Sequence, residues 1–101
     1  MTIATVRALA QCMGTAVTGW KVADHGQAIA RPAQSSFTGV MYRLPEMGQG
    51  LMVYRTQGDT LMTSPVHEVS MDADGGFLVE TMNSTYRLVF NPDTPELHRA
   101  A

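Results

Sequence analysis

The spacing of apolar positions along this chain changes once, near residue 37. Before that point, "TIATVRALAQCMG" places Ile3, Val6, Leu9, Ala10 and Met13 three and four residues apart, the signature of one apolar helix face. Thr2 suits the N-cap because its hydroxyl can accept an N–H left unpaired in the first turn. Gly14 suits the stop because glycine tolerates positive φ. A helix is expected over 2–13. The next stretch, "TAVTGWKVADHGQAIARPAQSS", follows neither period, and Gly26, Pro32 and Ser35-Ser36 interrupt it. Residues 14–36 are expected to be irregular, with a second helical turn or a short strand around Trp20–Val22 as local alternatives.

From residue 37 to 90 the pattern is that of strands and turns. "FTGVMYRL" and "LMVYRTQ" flank "PEMGQG", a turn rich in Gly and Pro. Pairing Leu44 with Leu51 sets Tyr42 against Val53 and Met41 against Tyr54. Gly58-Asp59 marks the next turn. Pro65, within "TLMTSPVHEVSM", cannot donate to a ladder, which places it on an edge strand or at a bulge. "DADGG" then leads into "FLVETMNSTYRLVF". With Asn83-Ser84 as a two-residue turn, Thr81 faces Tyr86, Glu80 faces Arg87, Val79 faces Leu88 and Phe77 faces Phe90. That register gathers Phe77, Val79, Tyr86, Leu88 and Phe90 on one core face and makes Glu80–Arg87 a cross-strand ion pair. The last stretch, 91–101, holds two prolines and reads as a tail with one helical turn at "TPELHRA". These elements predict one α+β domain over 1–101: an N-terminal helix packed on a four- to five-stranded antiparallel sheet, with closure into a small barrel as its compact form.

Composition narrows the function classes. The chain has 101 residues, 45% apolar and 16% charged, which fits one ordered domain. No run of 18 apolar residues exists, so no membrane-spanning helix is expected. No basic segment followed by an apolar stretch and a small-residue cleavage site opens the chain. The single Cys12 cannot form an internal disulfide, and both features point to the cytoplasm. Charge is uneven: Arg7, Lys21, Arg31 and Arg43 against Asp24 give +3 over residues 1–43. Arg55, Arg87 and Arg99 against eight acids give −5 over 44–101. An acidic half favours a basic partner surface over nucleic acid. Eight methionines, six of them between residues 41 and 82, fill cores or form adaptable contact surfaces. Core filling is the main expectation, with one or two exposed at an interface.

The candidate chemistry is sparse. Asn83-Ser84-Thr85 fits the N-glycosylation pattern, but Asn is also what a tight turn requires, and no secretory route is indicated. His25, His67 and His98 are too far apart for a compact metal motif. "DADGG" opens like a calcium loop, but position twelve is Asn83 rather than Glu. Cys12 sits near an apolar helix face, where small buried cysteines are common. No nucleophile elbow, phosphate-cradling loop or dinucleotide fingerprint is present, so neither enzyme activity nor a cofactor is expected. Every tyrosine precedes an arginine: Tyr42-Arg43, Tyr54-Arg55 and Tyr86-Arg87. Strand alternation explains such pairs as a half-buried ring beside a solvent-facing guanidinium, while Tyr and Arg are also frequent binding anchors.

The spacing "TSPVHEV…GGFLVETMNSTYRL" over residues 63–88 resembles short accessory proteins of phages and mobile elements, anti-CRISPR-type inhibitors among them. The resemblance implies a compact protein that binds and blocks a host macromolecule. The expected function is a non-enzymatic protein-binding module acting on a host protein or nucleoprotein complex. Its partner-binding residues are expected to be Glu68, Asp72, Asp74, Tyr54, Arg43 and Arg55, with no metal site. The alternative is a small nucleic-acid-binding regulator using Arg43, Arg55 and nearby tyrosines. An open edge at Pro65 or at "FTGVMYRL" would also allow a homodimer by strand pairing.

Overall fold

The computed structural model describes residues 1–30 and 35–91. Helix α1 spans Ile3–Cys12, and the strands are β1 Ala16–Asp24, β2 Gln27–Ala28, β3 Phe37–Val40, β4 Gly50–Arg55, β5 Thr60–Met71, β6 Phe77–Thr81 and β7 Ser84–Asn91. Strands β1, β3, β4, β5, β6 and β7 pair antiparallel in that order, and β7 pairs back onto β1, closing a small barrel. The two residues of β2 extend β1 at its far end. Seven strands among the described residues, six of them in the barrel, replace the four or five expected. Among the described residues no helix is long and apolar enough to cross a membrane.

The helix forms where its pattern predicts. Thr2 caps it, its Oγ1 accepting the Thr5 amide at 3.1 Å, and Gly14 follows with φ +84°. Leu9 is fully buried and joins an apolar cluster with Val17, Met41, Leu51, Val53, Val66, Val69, Val79 and Leu88. The Gly14 amide donates to the Met41 carbonyl at 2.7 Å, tying the helix end to the chain just past β3.

Within 14–36, expected to be irregular with a short strand around Trp20–Val22 as one alternative, the structure has the nine-residue β1, which closes the barrel. It pairs with β7 from Ala16↔Asn91 to Asp24↔Ser84 and with β3 from Ala16↔Val40 to Gly19↔Phe37. Its core-facing position 19 is a glycine, and the ring of Phe37 lies where a Cβ would stand, 2.2 Å from the ring's Cζ. One strand supplies the bulk that its neighbour lacks.

The β6–β7 hairpin also differs from its predicted register. Phe77 pairs with Leu88, Val79 with Tyr86 and Glu80 with Thr85, a shift of two residues that moves the tight turn to Met82-Asn83. The Thr81 hydroxyl drives this choice. It donates to the Ser84 carbonyl at 2.9 Å and accepts the Ser84 amide at 3.0 Å, so Ser84 belongs to the strand. Because the shift is even, the predicted core face survives: Phe77, Val79 and Leu88 are buried, and Phe77 meets Phe90 edge-on at 5.7 Å. The predicted Glu80–Arg87 pair does not form. Arg87 instead donates to Asp72 at 2.7 Å, and Glu80 stands opposite Glu68.

Between β3 and β4 the predicted register is off by one. Val40, not Met41, pairs with Tyr54, and "FTGVMYRL" is a strand only as far as Val40. Such a slip exchanges faces, which is why Met41 is buried and Tyr54 is exposed. Pro65 sits at a bulge, as its missing N–H requires: the ladder shifts between Gly50↔Pro65 and Met52↔Met62. The Thr63 hydroxyl, 2.9 Å away, accepts the Leu51 amide there. The tail expected over 91–101 begins inside β7, and its helical turn at "TPELHRA" lies outside the described residues.

Candidate protein-docking face

The ladder between β3 and β4 stops at Val40↔Tyr54. Beyond it the chain leaves the sheet as a loop, residues 41–49, which returns to β5 through Gly48 donating to the Val66 carbonyl at 2.8 Å. The outer side of β4 therefore has no β3 partner at Met52. A groove of about 100 Å³ opens there, floored by Gly50–Met52 and walled by Arg43, Leu44, Glu46 and Met62.

Around this groove the outer face of the barrel is apolar. Met52 stands opposite Met62 and Tyr54 opposite Thr60, so period-2 alternation sends the rings and thioethers outward together. The Tyr42 and Tyr54 rings lie 5.5 Å apart at 55°. Tyr42 is 56% exposed, Tyr54 43% and Met62 56%. Arg43 and Glu46 are both exposed on the groove walls, and neither enters an ion pair among the described residues. Aromatic, methionine and arginine side chains are the types over-represented at protein interfaces, and single exposed apolar residues are ordinary where a contiguous set is not.

The sequence-predicted site residues divide into two groups. Tyr54 and Arg43 lie on this face. Arg55 neighbours it but is held by Asp59 in a two-pronged contact, Nε to Oδ1 and Nη2 to Oδ2, both 2.9 Å. Those hydrogen bonds push the Arg55 guanidinium up and the Asp59 carboxyl below its usual range. Glu68, Asp72 and Asp74 lie toward the other end of β5. Glu68 pairs with the Met1 amine at 2.6 Å and accepts the Val69 amide, and both interactions lower its pKa. Asp72 organises the β5–β6 turn. Its Oδ1 accepts the Asp74 and Gly76 amides at 2.9 Å, its Oδ2 takes Arg87, and the Arg87 hydrogen bond holds its carboxyl low. Asp74 is exposed and has no ion pair among the described residues.

Sequence reasoning missed Tyr42, Met52 and Met62 as members of one face. The tyrosine–arginine dipeptides were the available signal. Strand alternation explains only Tyr86-Arg87, where the ring turns to the core, 6.3 Å from Phe37. At Tyr54-Arg55 the order is inverted, and Tyr42-Arg43 lies in the loop with both side chains exposed. Four methionines, at 47, 62, 71 and 82, are 45–60% exposed, so core filling is not their role.

The remaining chemistry is thin. Burial pushes the Cys12 thiol up, which disfavours the reactive thiolate. Among the described residues no group of three or more His, Cys, Asp or Glu side chains is placed to hold a metal. Comparison with protein-family models, curated proteins and solved structures gives no match.

Proposed function

We propose that this chain is a non-enzymatic protein-binding module. The observation that carries the reading is the Tyr42–Tyr54–Met62 face with its adjoining groove, where aromatic rings, thioethers and the exposed Arg43 guanidinium stand in solvent. The more specific form of the proposal is a phage-type inhibitor that blocks a host nucleoprotein complex. Its support comes from the opposite end of β5. There Glu80 is exposed opposite Glu68, which the Met1 amine holds, and Asp74 projects from the next turn, carboxylates suited to a basic groove.

Affinity capture from a bacterial lysate tests both parts. Wild-type protein should retain a nucleoprotein complex that Glu80→Lys with Asp74→Lys releases. Capture unchanged by these reversals, and equally unchanged by Tyr54→Lys, would sink the reading. Nucleic-acid binding is the weaker alternative because Arg55 and Arg87 are committed to Asp59 and Asp72. Only Arg43 of the three tyrosine-linked arginines remains for phosphate. A salt-sensitive mobility shift of DNA or RNA would favour that alternative.

A further inference from the structure

Resting on the reading of the Tyr42–Tyr54–Met62 face as a protein-docking surface, we propose that Met62 is its oxidation-sensitive control point. A peroxide converts the thioether to the sulfoxide and switches docking off. The placement of the sulfur carries this. Met62 stands on β5 opposite Met52 and lines the groove. A Cβ added at Gly50, on the groove floor, would come within 3.0 Å of the Met62 Sδ and 3.2 Å of its Cγ. The thioether therefore lies over Gly50, in space that the glycine leaves open. The residue is still 56% exposed, open to a small oxidant.

The other exposed methionines lack this position. Met47, Met71 and Met82 are 45–60% exposed, but none of them lines the groove. Oxidation of Met62 acts on the docking face, whereas oxidation of those three leaves it as it is. The step balances with the peroxide as its only co-reactant. The sulfur lone pair attacks one peroxide oxygen, the S–O bond forms, and the O–O bond breaks. The second oxygen leaves as water, taking both peroxide protons, so sulfur loses two electrons and the peroxide gains them. An apolar, flexible side chain becomes a polar one, a change that disrupts methionine-rich contacts. An apolar group of a partner packed on that sulfur would have to strip water from the new oxygen without replacing its hydrogen bonds. Sulfoxide reductases return the thioether, so the change is reversible.

Dilute hydrogen peroxide on the full chain, followed by peptide mapping, lysate capture and amide NMR, tests this. Met62 should gain one oxygen, and retention of the nucleoprotein complex should fall about tenfold or more. Methionine sulfoxide reductase with a dithiol should restore it. Met62→Leu keeps an apolar side chain of similar volume and should retain the complex before and after peroxide. The triple variant Met47→Leu/Met71→Leu/Met82→Leu should still lose it. In the absence of any partner, the sulfoxide should shift the amides of Gly50 and Arg43 and leave those of Val17–Trp20 in place. A Met62 that stays reduced while the other three convert, groove amides that do not move, or peroxide-sensitive capture by Met62→Leu would each overturn the inference. Untreated protein that retains nothing overturns the docking reading and the switch with it. Untreated protein that retains a complex indifferent to Met62 oxidation overturns the switch alone.

Discussion

The barrel has two seams of opposite character. Where β1 meets β7 the ladder runs the length of both strands, from Ala16↔Asn91 to Asp24↔Ser84, with one irregularity between Lys21 and Ala23. Where β3 meets β4 it holds only Gly39↔Arg55 and Val40↔Tyr54, with Thr56 donating to the Thr38 carbonyl just beyond. The first seam buries Val17 and Leu88 and presents no exposed apolar group. The second leaves Tyr42, Tyr54 and Met62 in water beside a groove. A closed barrel has no free edge, and a barrel closed by two pairs keeps a partial one. The first seam is hydrogen-bonded along its length, whereas the second leaves apolar side chains free for contact.

Breaking the tight seam should have the largest effect. Leu88→Ala removes a fully buried side chain from β7 and should cost about 2–5 kcal/mol in chemical denaturation. On the loose seam, Gly39→Ala places a Cβ 2.3 Å from the Tyr54 carbonyl oxygen, with Arg55 Cα at 2.9 Å, so backbone must move. A loss of about 1–3 kcal/mol is expected, with β4 amides at Tyr54 and Arg55 exchanging faster while β1 amides are unaffected. Away from both seams, Thr2→Ala deletes the helix cap and should cost about 1 kcal/mol, leaving the barrel amides protected.

A pH titration separates the acidic turn from either seam. The Asp72 carboxyl is held low chiefly by Arg87, so its contribution is complete above the ordinary carboxyl range of about pH 4 and is lost as pH falls through its lower folded value. Asp72→Asn should flatten part of the acid limb of the stability curve and change little at pH 7 beyond the loss of the ion pair. An acid limb identical to wild type would remove Asp72 from the account.

The same contrast decides how much of the fold was legible. The β6–β7 face could be read because Phe77, Val79, Tyr86, Leu88 and Phe90 alternate without interruption, and an even register error preserves faces. β1 could be read only as one alternative, a short strand around Trp20–Val22, because its core-facing positions run Val17, Gly19, Lys21. The middle volume comes from Phe37, a residue of another strand, and no local pattern records that loan. The end of β3 was hidden for a related reason. "FTGVMYRL" continues an apolar strand pattern past Val40, although the chain leaves the sheet there to anchor on Val66. The candidate face was half visible. Tyr54 and Arg43 stood out by their dipeptides, whereas Arg55 proved to be held by Asp59, and Met52 and Met62 joined the face only through a cross-strand pairing set by the bulge at Pro65.

Residue-resolved amide hydrogen exchange tests the two-seam account most directly. At low concentration the amides of Val17–Trp20 and Leu88–Phe90 should exchange only through global opening, and those of Val40, Met52 and Tyr54 far faster. Equal protection of the two seams would contradict it.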